Sequence, residues 1–296
     1  MTLWDNTVER LLDEFEDFTK DLDESLKKRI DKIVAKLDSK DGKLLPQNLT
    51  KVFNEIDALF KSEFQTKGYK IEMAKIADLV SVITDANAAM NKPLKLSAPE
   101  LIKANNLDLF KEQIITSLSD AGLTQNVILP MKQMINSSVS LGHGVEALMN
   151  EFDTLFDTGS TSQLTTIKGR SLQSYGRQIA NDATNAVNGQ IQTHLKDKYG
   201  LNGIRYIGST IKDSRPFCKH MIDKEKFPMS YDKLDKVLKE YVGNKTKVVV
   251  GKNKNGTPKE VQKGAGMYAE TNTKNFLTVV GGYNCRHRAF AVRLEI

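Results

Sequence analysis

Only two cysteines occur in 296 residues, too few for a disulfide scaffold and in keeping with a reducing compartment. No apolar run approaches the roughly 18 residues that cross a bilayer. The opening MTLWDNTVERLLDEFEDF is acidic and amphipathic, so it lacks the basic and then apolar regions of a secretory leader. These absences give the expectation of a cytosolic protein without a membrane partner. Aromatic residues make up only 7% of the chain and do not interleave with the lysines of KEKFPMSYDKLDKVLKE. That argues against a base-stacking groove and against sequence-specific DNA reading.

What is present suits a globular chain. The composition is 40% hydrophobic and 27% charged, enough to bury a core, and the length favours two domains or one domain with a helical extension. The net charge of +6 hides a split: residues 1–160 hold 19 Lys/Arg and 26 Asp/Glu, whereas residues 161–296 hold 24 and 11. Clustered Lys and Arg attract phosphates and carboxylates alike, so the basic part faces nucleic acid, an acidic protein surface or simply solvent.

The acidic part, residues 1–160, reads as a helical domain. Leu3, Val8, Leu11, Leu12, Phe15, Phe18, Leu22, Leu26, Ile30, Ile33, Val34 and Leu37 recur at steps of three and four, one apolar stripe with the charges opposite and a stop at Asp41-Gly42. Pro46 opens a second helix that Gly68 closes, a third runs from Tyr69 to Met90, and further amphipathic stretches cover 106–118, 125–138 and 145–156. The polar stretch Asp157–Thr166 reads as a linker. Residues 161–296 read as α+β: a long helix over 168–198 with small and polar faces, then short strands at 204–210, 247–251, 275–280 and 289–294, and one helix at 230–241. Asn255-Gly256 is the signal of a tight hairpin. The expected fold class is thus α+β, a mainly helical N-terminal part followed by a long helix and a small mixed β-sheet.

One constellation carries chemistry. Cys218-Lys219-His220 and Cys285-Arg286-His287 repeat a C-x-H pattern and use both cysteines. Thiolates and imidazoles form a sound zinc set, and residues two apart on extended backbone point the same way, although one intervening residue is tight for a shared ion. Buried thiols beside surface histidines, a Cys218–Cys285 disulfide and a Cys-His nucleophile pair are the other readings. The last needs an orienting group, for which only Asn284 offers itself. Catalysis is the minority reading.

Three ordered segments resemble a known family. The helix GRQIANDATNAVNGQI offers Arg177, Ala180, Asp182 and Asn185. DSRPFCKHMIDKEKF offers Asp213, Arg215, Cys218, Asp223 and Phe227. GGYNCRH offers Gly281, Gly282, Asn284, Cys285, Arg286 and His287. Together they resemble the C-terminal domain of the Mu F-like phage minor head proteins, the phage head morphogenesis family, over residues 168–292. Lys224 stands where that family often has glycine, and Ala291-Val292 where it often has proline. His287 replaces a second cysteine while keeping a ligand type. The resemblance implies a structural virion protein, made in the bacterial host cytoplasm and residing in the phage head. Its implied partners are the portal protein and the major capsid protein at the capsid interior, and packaged DNA. Mu F-like domains also occur fused to nuclease or ADP-ribosyltransferase-like effectors, and a nucleic-acid-binding module is a further alternative.

Overall fold

The computed structural model of the chain describes residues 2–37, 39–158, 171–210, 214–242, 245–252, 258–264, 267–282 and 285–294. Its helices are α1 (Thr2–Val34), α2 (Leu49–Phe64), α3 (Lys67–Ala77), α4 (Leu79–Met90), α5 (Ala98–Asn105), α6 (Asp108–Ser117), α7 (Asp120–Leu123), α8 (Leu129–Ser140), α9 (Val145–Thr158), α10 (Leu172–Tyr199), α11 (Pro216–Asp223), α12 (Tyr231–Tyr241) and α13 (Phe276–Val279). Its strands are β1 (Ser39–Lys40), β2 (Lys43–Leu44), β3 (Gly203–Ile207), β4 (Met229–Ser230), β5 (Lys245–Lys252), β6 (Pro258–Gly264) and β7 (Arg288–Val292). The fold is α+β and mainly helical, and every strand pairing is antiparallel. The chain divides into two compact units, Thr2–Leu79 with Leu109–Ala180, and Val80–Asp108 with Asn181–Ile296. The expected linker at Asp157–Thr166 lies largely outside the described residues.

In the first unit, α1 buries Val8, Leu12, Phe15, Leu26, Ile30, Ile33 and Val34, as its periodicity requires. The helix ends at Val34, earlier than the sequence suggests. Asp41-Gly42 instead turns the short β1–β2 hairpin, both residues having positive φ, the geometry a two-residue hairpin turn demands. The long third helix expected over 69–90 is two helices, parted at Asp78, whose backbone N–H bonds Ala74 O. Pro130 follows a π-helical turn at Thr124–Ile128 inside one unbroken helical run from α7 to α8, and the wider turn accommodates a residue without an N–H.

The α1 stripe carries one charge inward. Asp23 is 3% exposed, while Leu22 is only half-buried. Its carboxylate accepts the first N–H groups of α10, from Leu172 at 3.0 Å and Gln173 at 2.8 Å, and so completes the cap that Ser171 Oγ begins by accepting the Ser174 N–H at 3.2 Å. Burial pushes the Asp23 carboxyl up to about 6, against the lowering effect of those hydrogen bonds. Because the folded value lies above the unfolded 3.8, folding takes up a proton, and this contribution to stability is present in acid and lost as pH rises from 3.8 through 6. The stability of the wild type relative to Asp23→Asn should therefore shift in favour of the wild type by about 2.4 kcal/mol between pH 7 and pH 4. Paired denaturant melts across that range check it, and a pH-independent difference would contradict it.

The second unit is built on the sheet β4-β3-β7. Ile204 and Tyr206 of β3 face a core with Phe217 and Met221 of α11, Leu234 and Leu238 of α12, Phe276 and Leu277 of α13, and Ala289 of β7. The β5–β6 hairpin forms its own two-stranded sheet; its Asn255-Gly256 tip lies outside the described residues. The run NFLTVV, expected as a strand, is helical over Phe276–Val279. A short apolar run reads equally as strand or helix, and local chemistry decides: Asn275 Oδ1 accepts from Asn272 N at 2.8 Å, and Asn272 Oδ1 from Lys274 N at 2.9 Å. Such side-chain bonds curl the chain just ahead of the helix.

Edge strand β7 is completed by a helix. One side of it pairs with β3 from Gly203↔Val292 to Ile207↔Arg288. Backbone groups of β7 and of Cys285 just before it meet α10 instead. Asn185 Nδ2 donates to Cys285 O at 2.7 Å, Asn188 Nδ2 donates to Ala289 O at 2.9 Å, and Ala291 N donates to Gln192 Oε1 at 2.9 Å. With Asn181 these residues recur at helical spacing on one buried face of α10. Asn87 of α4 joins the row, donating to Asn188 Oδ1 at 3.3 Å and accepting from Gln192 Nε2 at 2.6 Å. The polar face of α10 therefore takes the place of a neighbouring strand, which explains a helix interior so poor in leucine.

Candidate metal centre

Cys218 and Cys285, 67 residues apart in sequence, bring their sulfurs to 3.9 Å. The first lies in the first turn of α11, which Pro216 starts. The second lies between α13 and β7, with its carbonyl pinned by Asn185. His287 brings Nδ1 to 3.7 Å from Cys285 Sγ. All three side chains are buried, with one ligand atom each within 4.8 Å of the others. Both thiols are free, and their separation is nearly twice a disulfide bond of about 2.05 Å.

The electrostatics bind the three into one unit. The hydrogen bond with Cys218 holds the Cys285 thiol well below its usual range, helped by His287 and opposed by burial. The same contact and burial push Cys218 up, so the pair keeps one proton and places it on Cys218. Burial, and then the two cysteines, raise the Tyr206 phenol. His287 Nε2 is buried without a hydrogen-bond partner among the described residues, and Nδ1 has only the long sulfur contact. A metal ion beside the two sulfurs would engage the Nδ1 lone pair, which otherwise has only that weak contact, while Nε2 keeps its N–H. The residues present therefore fit a metal ion: Cys218, Cys285 and His287 can hold one.

His220 does not join them. The expectation that it would assumed extended backbone, whereas Cys218 and His220 stand two apart on a helix, on different sides of α11. His220 Nε2 instead meets Glu225 Oε1 at 2.9 Å, with Lys233 on the other carboxylate oxygen at 2.6 Å. Arg215 Nη1 donates to Gly281 O at 2.8 Å, tying the start of α11 to the segment before Cys285. Asp223 accepts from Thr210 Oγ1 at 3.4 Å on the surface. Phe227 stacks on Tyr206 with ring centroids 6.2 Å apart. Gly282 donates its N–H to Val279 O at 2.8 Å and closes α13. Arg286 is exposed, and Asp213 and Asn284 lie outside the described residues. A nucleophilic pair needs a third group to orient its imidazole, and His287 Nε2 has none among the described residues.

Two participants escaped the sequence reading. Tyr206 Oη donates to Cys218 Sγ at 3.4 Å and lies 3.8 Å from Cys285 Sγ. The alternation of Ile204 and Tyr206 in a half-buried strand carries that signal. Arg288, 2% exposed, sends its guanidinium to Cys285 O at 2.9 Å, His287 O at 3.1 Å and Asn185 Oδ1 at 3.2 Å. Nothing in the spacing of charges announces a buried arginine. No protein-family model, curated protein or solved structure matches the chain.

Proposed function

We propose that the chain is a structural component of a bacteriophage head, of the Mu F-like minor head kind, and that its C-terminal unit is closed by a zinc ion on Cys218, Cys285 and His287. The observation that carries this reading is the meeting of Cys218 and Cys285 at 3.9 Å beside His287. It makes one body of the segments on which the resemblance rests. The Asn face of α10 holds the chain at Cys285, and Arg215 holds the chain at Gly281. Zinc suits the donor set: bonds of about 2.3 Å to sulfur and 2.0 Å to nitrogen at tetrahedral angles separate two sulfurs by about 3.8 Å and a sulfur from a nitrogen by about 3.5 Å. Bound zinc supplies a cross-link between α11 and the entry to β7. The protein's own groups exclude water and orient the ligands.

In this reading the portal protein and the major capsid protein are the partners, and the basic C-terminal part, with 24 Lys/Arg against 11 Asp/Glu over 161–296, faces packaged DNA or an acidic portal surface. Deleting the gene from a phage that carries it should impair head assembly, genome packaging or infectivity, and the protein should sediment with heads or a portal ring. Unchanged heads, packaging and infectivity would overturn the assignment.

A further inference from the structure

We propose that Tyr206 is the fourth ligand of this centre, its phenol oxygen taking the place that the spacing of the C-x-H pairs gives to His220. The inference rests on the zinc reading and goes beyond it. A structural zinc site is closed by four protein ligands, and with His220 committed to Glu225 the thiol–imidazole set stops at three.

Tyr206 Oη lies 3.4 Å from Cys218 Sγ and 3.8 Å from Cys285 Sγ, and the sulfurs are 3.9 Å apart. A point equidistant from the three atoms of that triangle lies about 2.1 Å from each, the length of a zinc–oxygen bond and about 0.2 Å short of a zinc–sulfur bond, so a small displacement out of that plane accommodates the ion. The imidazole is already alongside: the His287 ring stacks on the Tyr206 ring with centroids 5.2 Å apart and planes 12° from parallel. The rest of the phenol's surroundings is hydrocarbon, with Phe217, Phe227 and Phe276 packed around its ring. A fully buried hydroxyl whose hydrogen-bond contacts are two sulfurs is weakly satisfied, and coordination satisfies it.

Gly281 packs against the triangle. A Cβ there would stand 2.7 Å and 2.8 Å from the two sulfurs and 3.2 Å from the phenol oxygen, and the Arg215 bond to its carbonyl holds this backbone in place. On binding, the phenol proton leaves to solvent, as does the one proton that the cysteine pair keeps. The alternative role for Tyr206 is that of a hydrogen-bond donor to a coordinated sulfur, which leaves the phenol protonated.

The full-length protein, purified with its metal, distinguishes these. Its near-ultraviolet absorption, before and after stripping with a chelator and on titrating zinc alone back in, should show one phenolate appearing per zinc bound, and Tyr206→Phe should lack that signal. One equivalent of zinc with no phenolate signal overturns the Tyr206 assignment and leaves the three-residue site standing. Absence of zinc binding overturns both. The signal is read on the wild type, so the test survives a variant that fails to fold.

Discussion

Cys285→Ser should lose the metal and about 4 kcal/mol of stability, the effect of a ligand present at a thousand times its dissociation constant, which in a domain of this size lowers Tm on the order of 10 °C. The sulfur it removes is 3% exposed and lies within reach of Cys218, His287 and Tyr206. Loss of packing alone would also destabilise, because serine leaves a smaller, wetter atom in an apolar core. Chelator separates the two causes. Wild type treated with chelator should fall to the stability of Cys285→Ser, and the variant should not respond. A variant as chelator-sensitive as the wild type, or a wild type that ignores chelator, would show that the cysteines serve as packing.

Gly189→Ala should be the most damaging single methyl in the second unit. An added Cβ would stand 2.2 Å from Leu277 O and 2.3 Å from Thr278 Cα, and both are backbone, so no rotamer relieves the contact. The helix would have to withdraw from α13 and with it from the carbonyls that Asn185 and Asn188 hold at 2.7 Å and 2.9 Å. Overpacking costs about 1–3 kcal/mol where side chains yield; with backbone on the opposing side the loss should exceed 3 kcal/mol and carry zinc retention down with it. Gln190→Ala, one residue along on the exposed side of α10, should stay within about 0.5 kcal/mol of the wild type. Denaturant melts and metal content of the two variants test the contrast, and equal stability of both would contradict the close approach of α10 to α13.

Most of the fold is legible wherever periodicity is strong. The stripe of α1, the faces of α2 and α12, and strand β3 follow from apolar spacing, because each buries one side and solvates the other, and β7, buried along most of its length, follows from its short apolar run. Misreadings fall where that contrast fails. NFLTVV is apolar throughout, so no period separates strand from helix, and asparagine side chains bonded to local backbone decide. Asp23 breaks the charge-outward rule because it caps a helix begun about 150 residues later, a long-range debt that no local window shows. The candidate site was half visible. Both cysteines and His287 stand out by rarity, whereas His220 was placed by assuming extended backbone where Pro216 starts a helix. Tyr206 and Arg288 were missed because an inward tyrosine and a buried arginine take their meaning from what surrounds them. Asn185 carries part of the resemblance, yet the work it shares with Asn188 and Gln192, standing in for a strand beside β7, emerges only once β7 is in place.

Metal content decides the central claim. Protein purified without chelators and analysed by elemental methods should carry about one equivalent of zinc per chain, since structural sites bind the ion with some 10–16 kcal/mol and do not release it on gentle handling. Less than about 0.2 equivalents, in protein that is folded and has both thiols reduced, would contradict the account of Cys218, Cys285 and His287 as a zinc clasp.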